Sequence, residues 1–288
     1  MFQMSPFYSV ILPVYNSEAF IKNAVESIML QTFEDFELII INDGSTDGTK
    51  LILENIKDER IKLVHQENKG LVDSLNHGLQ IAKGNYIARM DADDYSYPQR
   101  LARQYEFIKQ NPSIVLFSNY FNVIDENNNF IATRRLPLED RFIREVINKW
   151  NPFCHPSAVF KRELALKVGG YPKKKYQEDW ELWKELIEFG SVGNIPEILL
   201  DYRVVTGSES ALKIIDMSKQ KHNYLQELRI GICYLEFALN TKKARKRIKN
   251  SLIQKITLSG VYNYLLTFFP SFLIKLIKNA SKGKYYIS

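Results

Sequence analysis

The sequence predicts an α/β fold in which a mostly parallel sheet carries helices on both faces, and three observations predict it. Apolar runs of strand length alternate with amphipathic stretches of helix length from residue 8 to about residue 90. The run over 36–41 shows no polar alternation, the pattern of a strand covered on both sides. Polar clusters stand at three consecutive strand ends, and ligands of such sheets lie beyond the carboxyl ends of the strands. The alternation implies right-handed helical crossovers and a doubly wound sheet.

Each element has its own signal. Residues 8–14 form a short apolar strand stopped by Tyr15-Asn16, and Ser17 is placed to cap a helix running to about residue 31. Phe20, Ala24, Val25 and Ile28 share one face of that helix. A second strand over 36–41 leads into the turn Asn42-Asp43-Gly44-Ser45, then a helix over 46–56 with Leu51, Ile52 and Ile56 inward. A third strand spans 61–65, and a helix over 70–82 carries Leu71, Leu75 and Leu79. Residues 86–90 read as a strand that runs into Asp91-Ala92-Asp93-Asp94. Pro98, a favourable first helical residue, opens the next helix.

From there the pattern changes. Strands are expected over 114–119, 121–124 and 130–134, the last two joined by a hairpin turn at 125–129. A helix over 138–150, a strand over 157–160, a helix over 178–189 and strands over 191–195 and 198–203 complete the body. Everything beyond residue 211 reads helical. The expected organisation is a body of residues 1–210, its two halves meeting near residue 110, and a helical extension over 211–288.

Composition bounds the function classes. A chain of 288 residues with 45% hydrophobic content can bury a sizeable core, and 16 Tyr with 17 Phe argue against disorder. Two cysteines, Cys154 and Cys233, are too few and too unpatterned for a disulfide framework or a zinc site, so a reducing compartment is expected. The four histidines show no metal-ligand spacing. No signal peptide and no spanning helix is read. The net charge of +6 hides an asymmetry: residues 211–288 carry 15 Lys and Arg against three acids, which leaves the rest at −6. An acidic body and a basic tail meet different partners. Nucleic acid is not expected among them, because the basic run over 241–250 lacks interleaved aromatics or a reading-helix motif.

The acids carry the chemistry. Strand alternation points Asp91 and Asp93 the same way, and oxygen-only ligands at a strand end suit a hard cation, Mg²⁺ or Mn²⁺. A solvated acidic turn is the competing reading. Asp43 follows a strand and precedes Gly44, where a tight turn is easy. Its carboxylate either accepts from a base N–H or ribose hydroxyl, or caps the helix that follows. Tyr15 either stacks on a base or packs in the turn, and Pro13 stiffens the strand end. Arg89 either meets a diphosphate or pairs an acid. Glu178 and Asp179 open a helix, where the dipole favours carboxylates whatever their further role.

Six segments in order resemble the motifs of the family 2 glycosyltransferases. They are Ser9-Val10-Ile11-Leu12-Pro13-Val14-Tyr15-Asn16, Asn42-Asp43-Gly44-Ser45-Thr46-Asp47, Asn68-Lys69-Gly70-Leu71, Ala82-Lys83-Gly84-Asn85-Tyr86-Ile87, Met90-Asp91-Ala92-Asp93-Asp94 and Glu178-Asp179-Trp180-Glu181-Leu182-Trp183. The resemblance covers about residues 8–205. It implies a GT-A fold, Rossmann-like in its sheet, with a nucleotide-binding first half and an acceptor-binding second half. It further implies a nucleotide-sugar donor, a divalent metal and transfer with inversion at the anomeric carbon.

By that resemblance Asp43 recognises the nucleoside, Asp93 is the direct metal ligand, and Asp91 contacts the ribose or the metal. Asp94 orients its neighbours. Asp179 is the general base, with Glu178 and Trp180 beside it. His155, in Cys154-His155-Pro156-Ser157, matches a histidine near donor or acceptor, with a hydrogen-bonded loop histidine as the alternative. One departure stands out: many relatives carry a histidine two residues after the position of Arg203, and here Val205 stands there. That leaves Arg203, or lysines around Lys174, to meet the diphosphate.

Residues 262–277 are rich in Tyr, Leu, Phe and Ile, interrupted by Pro270 and followed by lysines. They read as interfacial helices, and with the basic run would hold the chain on an anionic membrane surface, the inner face of the cell membrane. Packing on the body is the alternative. The expected activity is transfer of a sugar, UDP-linked, to a saccharide or lipid-linked saccharide in surface-polysaccharide or lipopolysaccharide synthesis. Transfer to a polyprenyl phosphate and a non-catalytic glycan-binding module are the competing readings.

Overall fold

The computed structural model describes residues 5–174 and 177–205. In the first half β1 (Tyr8–Val14), α1 (Ile21–Met29), β2 (Phe36–Asp43), α2 (Thr49–Asn55), β3 (Ile61–Gln66), α3 (Leu71–Ile81) and β4 (Tyr86–Arg89) alternate as expected. β1 pairs in parallel with β2 and β4, and β2 with β3, so their carboxyl ends share one edge. Next come β5 (Tyr95–Ser96), α4 (Arg100–Gln110), β6 (Ile114–Asp125), β7 (Phe130–Arg134) and α5 (Asp140–Val146). The described chain closes with β8 (Val159–Lys161), α6 (Arg162–Lys167), α7 (Glu178–Leu186) and β9 (Ser191–Val204).

The sheet runs β3-β2-β1-β4-β8-β6-β9-β5, with β7 paired to β6. Its second half is antiparallel: β8 opposes both β4 and β6, and β5 opposes β9. Strand alternation sorts the core into two layers. Val10, Leu12, Leu38 and Ile40 pack with Ala24, Val25 and Ile28 of α1 and Leu101 of α4. Ile11, Ile39 and Ile41 face the other way, onto Leu75 and Leu79 of α3 and Leu182, Trp183 and Leu186 of α7. The middles of β1 and β2 are apolar on both sides because both faces are covered.

Several boundaries differ from the sequence reading. Ser17 does not cap α1: its carbonyl accepts from the N–H groups of Phe20 and Ile21 in a turn, and the helix starts at Ile21. The second helix starts at Thr49 rather than residue 46, because Asp47 turns back to accept from the Thr49 N–H. Ile52 and Ile56 pack against the core as expected and Leu53 is buried there too, while Leu51 is 66% exposed. Pro98 lies in the turn before α4 and not in the helix. The expected breaks within 114–124 and 191–203 are absent, and β6 and β9 each run through as one long strand. The helix expected over 138–150 shrinks to α5, and the one expected to reach residue 189 ends at Leu186 with a 3₁₀ turn, Ile187–Phe189. His155–Ser157 is a 3₁₀ turn before β8, and β5 and α6 were not anticipated.

One compact unit ends at Arg203. The expected boundary at residue 210, the helical extension over 211–288 and the interfacial segment over 262–277 lie outside the described residues. Among the described residues no helix is long and apolar enough to cross a membrane.

Candidate functional site

The parallel register assembles the site. Val14 aligns with Asn42, Asp43 with Gln66, and Ile11 with Arg89, which brings the segments after β1, β2, β3 and β4 to one rim. The β1 and β2 ends are stitched together there. Asn16 donates its N–H to Ser45 Oγ at 3.0 Å and accepts from the Thr46 N–H at 2.8 Å. Pro13 is buried in β1, and Tyr15 just beyond it is 49% exposed, so its ring does not pack in a core and is open for stacking.

Asp43 is 4% exposed and does not cap the following helix. Its Oδ1 accepts from the Lys69 N–H at 2.9 Å and from Gln66 Nε2 at 2.8 Å, while Oδ2 accepts from the Gly70 N–H at 2.8 Å. The carboxylate therefore holds the loop that leads into α3. Gly44 makes this approach possible: it has φ +71°, and a Cβ there would lie 2.7 Å from the Asn68 backbone nitrogen.

Asp91, Asp93 and Asp94 each offer an oxygen within 4.8 Å of the others. Asp94 is buried; its Oδ1 accepts from the Arg203 N–H at 2.8 Å, and its Oδ2 has no hydrogen-bond partner among the described residues. Burial, reinforced by the neighbouring Asp91, pushes the Asp93 carboxyl up to about 7, and burial together with Asp93 and Asp91 raises Asp94 well above the carboxylate range. Oxygens bound to one octahedral Mg²⁺ lie about 3 to 4 Å apart, so this spacing closes on an ion with small side-chain rotations. The donor set, all oxygen, fits a hard dication.

Three arginines surround the cluster. Arg89 is buried and forms an ion pair with Asp91, the second of its two expected roles. Arg100, also buried, donates to the Arg89 carbonyl at 2.6 Å; burial lowers its pKa to about 10, which still leaves it cationic at neutral pH. Arg203 Nε donates to the Asp93 carbonyl at 2.7 Å and its Nη1 to the Asp125 carbonyl at 3.0 Å, with the guanidinium 4.9 Å from the Phe20 ring centre. The guanidinium clasps the acidic loop through those two backbone carbonyls.

The start of α7 supplies the third group of acids. Asp179 Oδ2 accepts from Asn151 Nδ2 at 2.7 Å and Oδ1 from the Trp180 N–H at 2.7 Å. Asn151 Oδ1 accepts from the Phe153 N–H, which fixes the amide so that its nitrogen faces Asp179. Glu178 is buried, and the Trp180 indole N–H donates to the Ile147 carbonyl. His155 Nδ1 lies 4.0 Å from Asp179 Oδ2, and its Nε2 is 3.3 Å from Tyr171 Oη. Burial and the nearby Arg89 hold His155 well below its usual pKa, so its imidazole is neutral. Burial raises the Tyr171 phenol. His155 thus sits between the Asp179 carboxylate and the Tyr171 phenol.

Gln66, Asn151 and Tyr171 were not anticipated. Each is a polar residue without a motif, and only Tyr171, following Gly169-Gly170, carries a local turn signal.

Comparison with known proteins places this geometry. The family model described as glycosyl transferase family 2 matches residues 9–169. A Haemophilus influenzae protein described as an uncharacterized glycosyltransferase is 35% identical over 215 residues, 69% of this chain and 66% of its own length. This chain thus spans just under two thirds of that relative. The Escherichia coli O-antigen biosynthesis glycosyltransferase WbnJ is 34% identical over 204 residues, 68% of this chain and 79% of its own. Among solved structures, S. aureus TarS in complex with UDP-GlcNAc superposes with a TM-score of 0.60 at 20% identity, over 86% of this chain and 72% of that one. The mannosyltransferase PcManGT from Pyrobaculum calidifontis, in complex with GDP-Man and Mn²⁺, gives 0.59 at 19% identity, over 98% and 82%. These likenesses bear out the expected GT-A fold.

Proposed function

The chain belongs to glycosyl transferase family 2, and from that premise we propose that it moves a sugar from a UDP-linked donor to a saccharide or lipid-linked saccharide acceptor. The setting proposed is surface-polysaccharide or lipopolysaccharide assembly, in line with WbnJ and with the Erwinia amylovora amylovoran biosynthesis glycosyltransferase AmsE. The observation that carries the reading is the cluster of Asp91, Asp93 and Asp94 oxygens on the rim where the parallel strands end.

In this reading residues 1–110 bind the nucleotide and 111–210 the acceptor. Tyr15 stacks on the base, Asp43 accepts from it, and Asp91 meets the ribose or the metal. Asp93, with Asp91, holds Mg²⁺ or Mn²⁺, and Asp94 orients the loop. When bound, the dication stabilises negative charge on the departing diphosphate. Asp179 takes the proton of the acceptor hydroxyl as that oxygen attacks the anomeric carbon and the bond to the diphosphate breaks. Asn151 and the Trp180 N–H aim its carboxylate, while neutral His155 and Tyr171 line the approach without competing for the proton. A single displacement needs one base and no protein nucleophile, hence inversion.

A panel of nucleotide-sugars with Mn²⁺, read by release of the nucleoside diphosphate and by thermal shift, tests the reading. Turnover with a UDP-sugar is the expected result. Stabilisation by UDP and Mn²⁺ without turnover on any acceptor would favour a non-catalytic binding module. Turnover with a polyprenyl phosphate alone would favour that acceptor class, which does not need a strong base. We further propose that the chain sits on the inner membrane face through residues 262–288. Co-sedimentation with anionic vesicles is expected and should be lost on removing those residues; unchanged sedimentation would refute the anchoring.

A further inference from the structure

We infer that Gln66 and His77 set which nucleoside base the site accepts, by rationing the acceptor capacity of Asp43 so that a uracil-type base is taken over guanine. The inference rests on Asp43 as the base-binding residue of the proposed function. A carboxylate offers about four acceptor positions. Three are taken in this protein, two on Oδ1 by Gln66 Nε2 and the Lys69 N–H, and one on Oδ2 by the Gly70 N–H. Among the described residues one acceptor position remains, on Oδ2.

The Gln66 bond is held in place by a second tier. Gln66 Nε2 also donates to Ser74 Oγ at 3.1 Å, and Gln66 Oε1 lies 2.7 Å from His77 Nδ1. The reversed amide would press a carbonyl oxygen against the Asp43 carboxylate, so the orientation is determined by charge and His77 Nδ1 must be the donor. Residues from β3 and α3 thereby fill Oδ1 and lock it. Ser74 is fully buried, and the carboxylate itself is 4% exposed, so water does not compete for these positions.

Bases differ in what they bring to such a carboxylate. Uracil presents one imide N–H between two carbonyls and needs one acceptor. Guanine presents two adjacent N–H donors, and one of them would enter a closed site without a partner. Cytosine and adenine present a ring nitrogen lone pair, which the carboxylate repels. A single free acceptor therefore fits the uracil edge and leaves guanine a donor short. Solved structures of the same fold hold UDP-GlcNAc and GDP-Man, so the fold itself does not make this choice.

Calorimetric titration of UDP and of GDP, each with Mn²⁺, tests the inference without requiring sugar transfer. The parent protein should prefer UDP by about tenfold or more, the equivalent of about 1.4 kcal/mol. Gln66→Leu returns an acceptor position to Oδ1, and the preference should narrow to about threefold or less. His77→Ala should narrow it in part, whereas His77→Gln, which keeps a donor toward Gln66, should restore it. That pair carries the test if Gln66→Leu does not fold. Equal or tighter binding of GDP by the parent protein overturns the selection and leaves the donor site standing. An unchanged ratio in Gln66→Leu, or in His77→Ala, overturns the role of the second tier. If neither nucleotide binds, the donor reading falls along with it.

Discussion

Asp179→Asn lowers the turnover of sugar transfer by about 10²- to 10⁴-fold, the usual contribution of a general base, and leaves nucleotide affinity within about twofold. The substitution keeps the shape of the side chain and removes its capacity to take a proton. It also meets a specific conflict. Both carboxylate oxygens accept from fixed donors, Asn151 Nδ2 and the Trp180 N–H. Either orientation of the new amide sets its NH₂ against one of them. One hydrogen bond is lost, and thermal stability should fall by about 1 kcal/mol. Steady-state kinetics, UDP titration and a melting curve separate the effects: loss of kcat with binding retained is expected. Asn151→Leu, which frees the carboxylate to turn, should reduce kcat less and leave the affinity for UDP unchanged. Transfer at the parent rate by Asp179→Asn would remove Asp179 from the role of base.

Asp93→Asn should abolish the Mn²⁺-dependent part of nucleotide binding, a loss of about 10²-fold or more, in keeping with the cost of removing one charged ligand. The same change should stabilise the metal-free protein above neutral pH. The sign follows from the acids themselves. In the folded protein burial and Asp91 raise Asp93 from its ordinary 3.8 to about 7. Between those values the folded state holds a proton that the unfolded chain has released, so stability falls as pH rises from about 4 to 7. Above 7 the cluster carries its full repulsion unless a dication relieves it. Melting curves at pH 8 should therefore show the variant above the parent protein without metal and below it with UDP and Mn²⁺. A variant that responds to Mn²⁺ and UDP as the parent does would take Asp93 out of the metal site.

The cluster shows how a function of this kind conflicts with stability. Three carboxylates around one point, one with an oxygen that lacks a partner among the described residues, are costly without a cation. The surrounding structure offsets that cost with Arg89 paired to Asp91 and Arg203 clasping the loop backbone. Arg203 is thus a brace for the acids, and its tie to Asp125 links the loop to the end of β6.

Much of this was legible in the chain. The apolar run over 36–41 announced a strand covered on two faces, and Asp43 and Asp91 to Asp94 stood at strand ends. Hydrophobic periodicity reports burial because burial is non-directional and follows from spacing along one element. Boundaries were less legible. Asp47 delays α2 by three residues and turns Leu51 outward, because a side chain that accepts from the backbone competes with the helix.

The sequence by itself determined the α/β class, the parallel half of the sheet, the rim on which the acids gather and the family to which they belong. Only the tertiary structure decided whom each polar group serves. Asp43 holds the loop before α3 and not the helix after it, Arg203 reaches the Asp93 carbonyl 110 positions away, and Asn151 meets Asp179 across 28. Hydrogen bonds are directional and short, so their partners are set by how distant segments come to rest against each other. Gln66 and His77 illustrate the same limit. Nothing in their local sequence marks them, and their effect on Asp43 exists only once β3 and α3 are packed side by side.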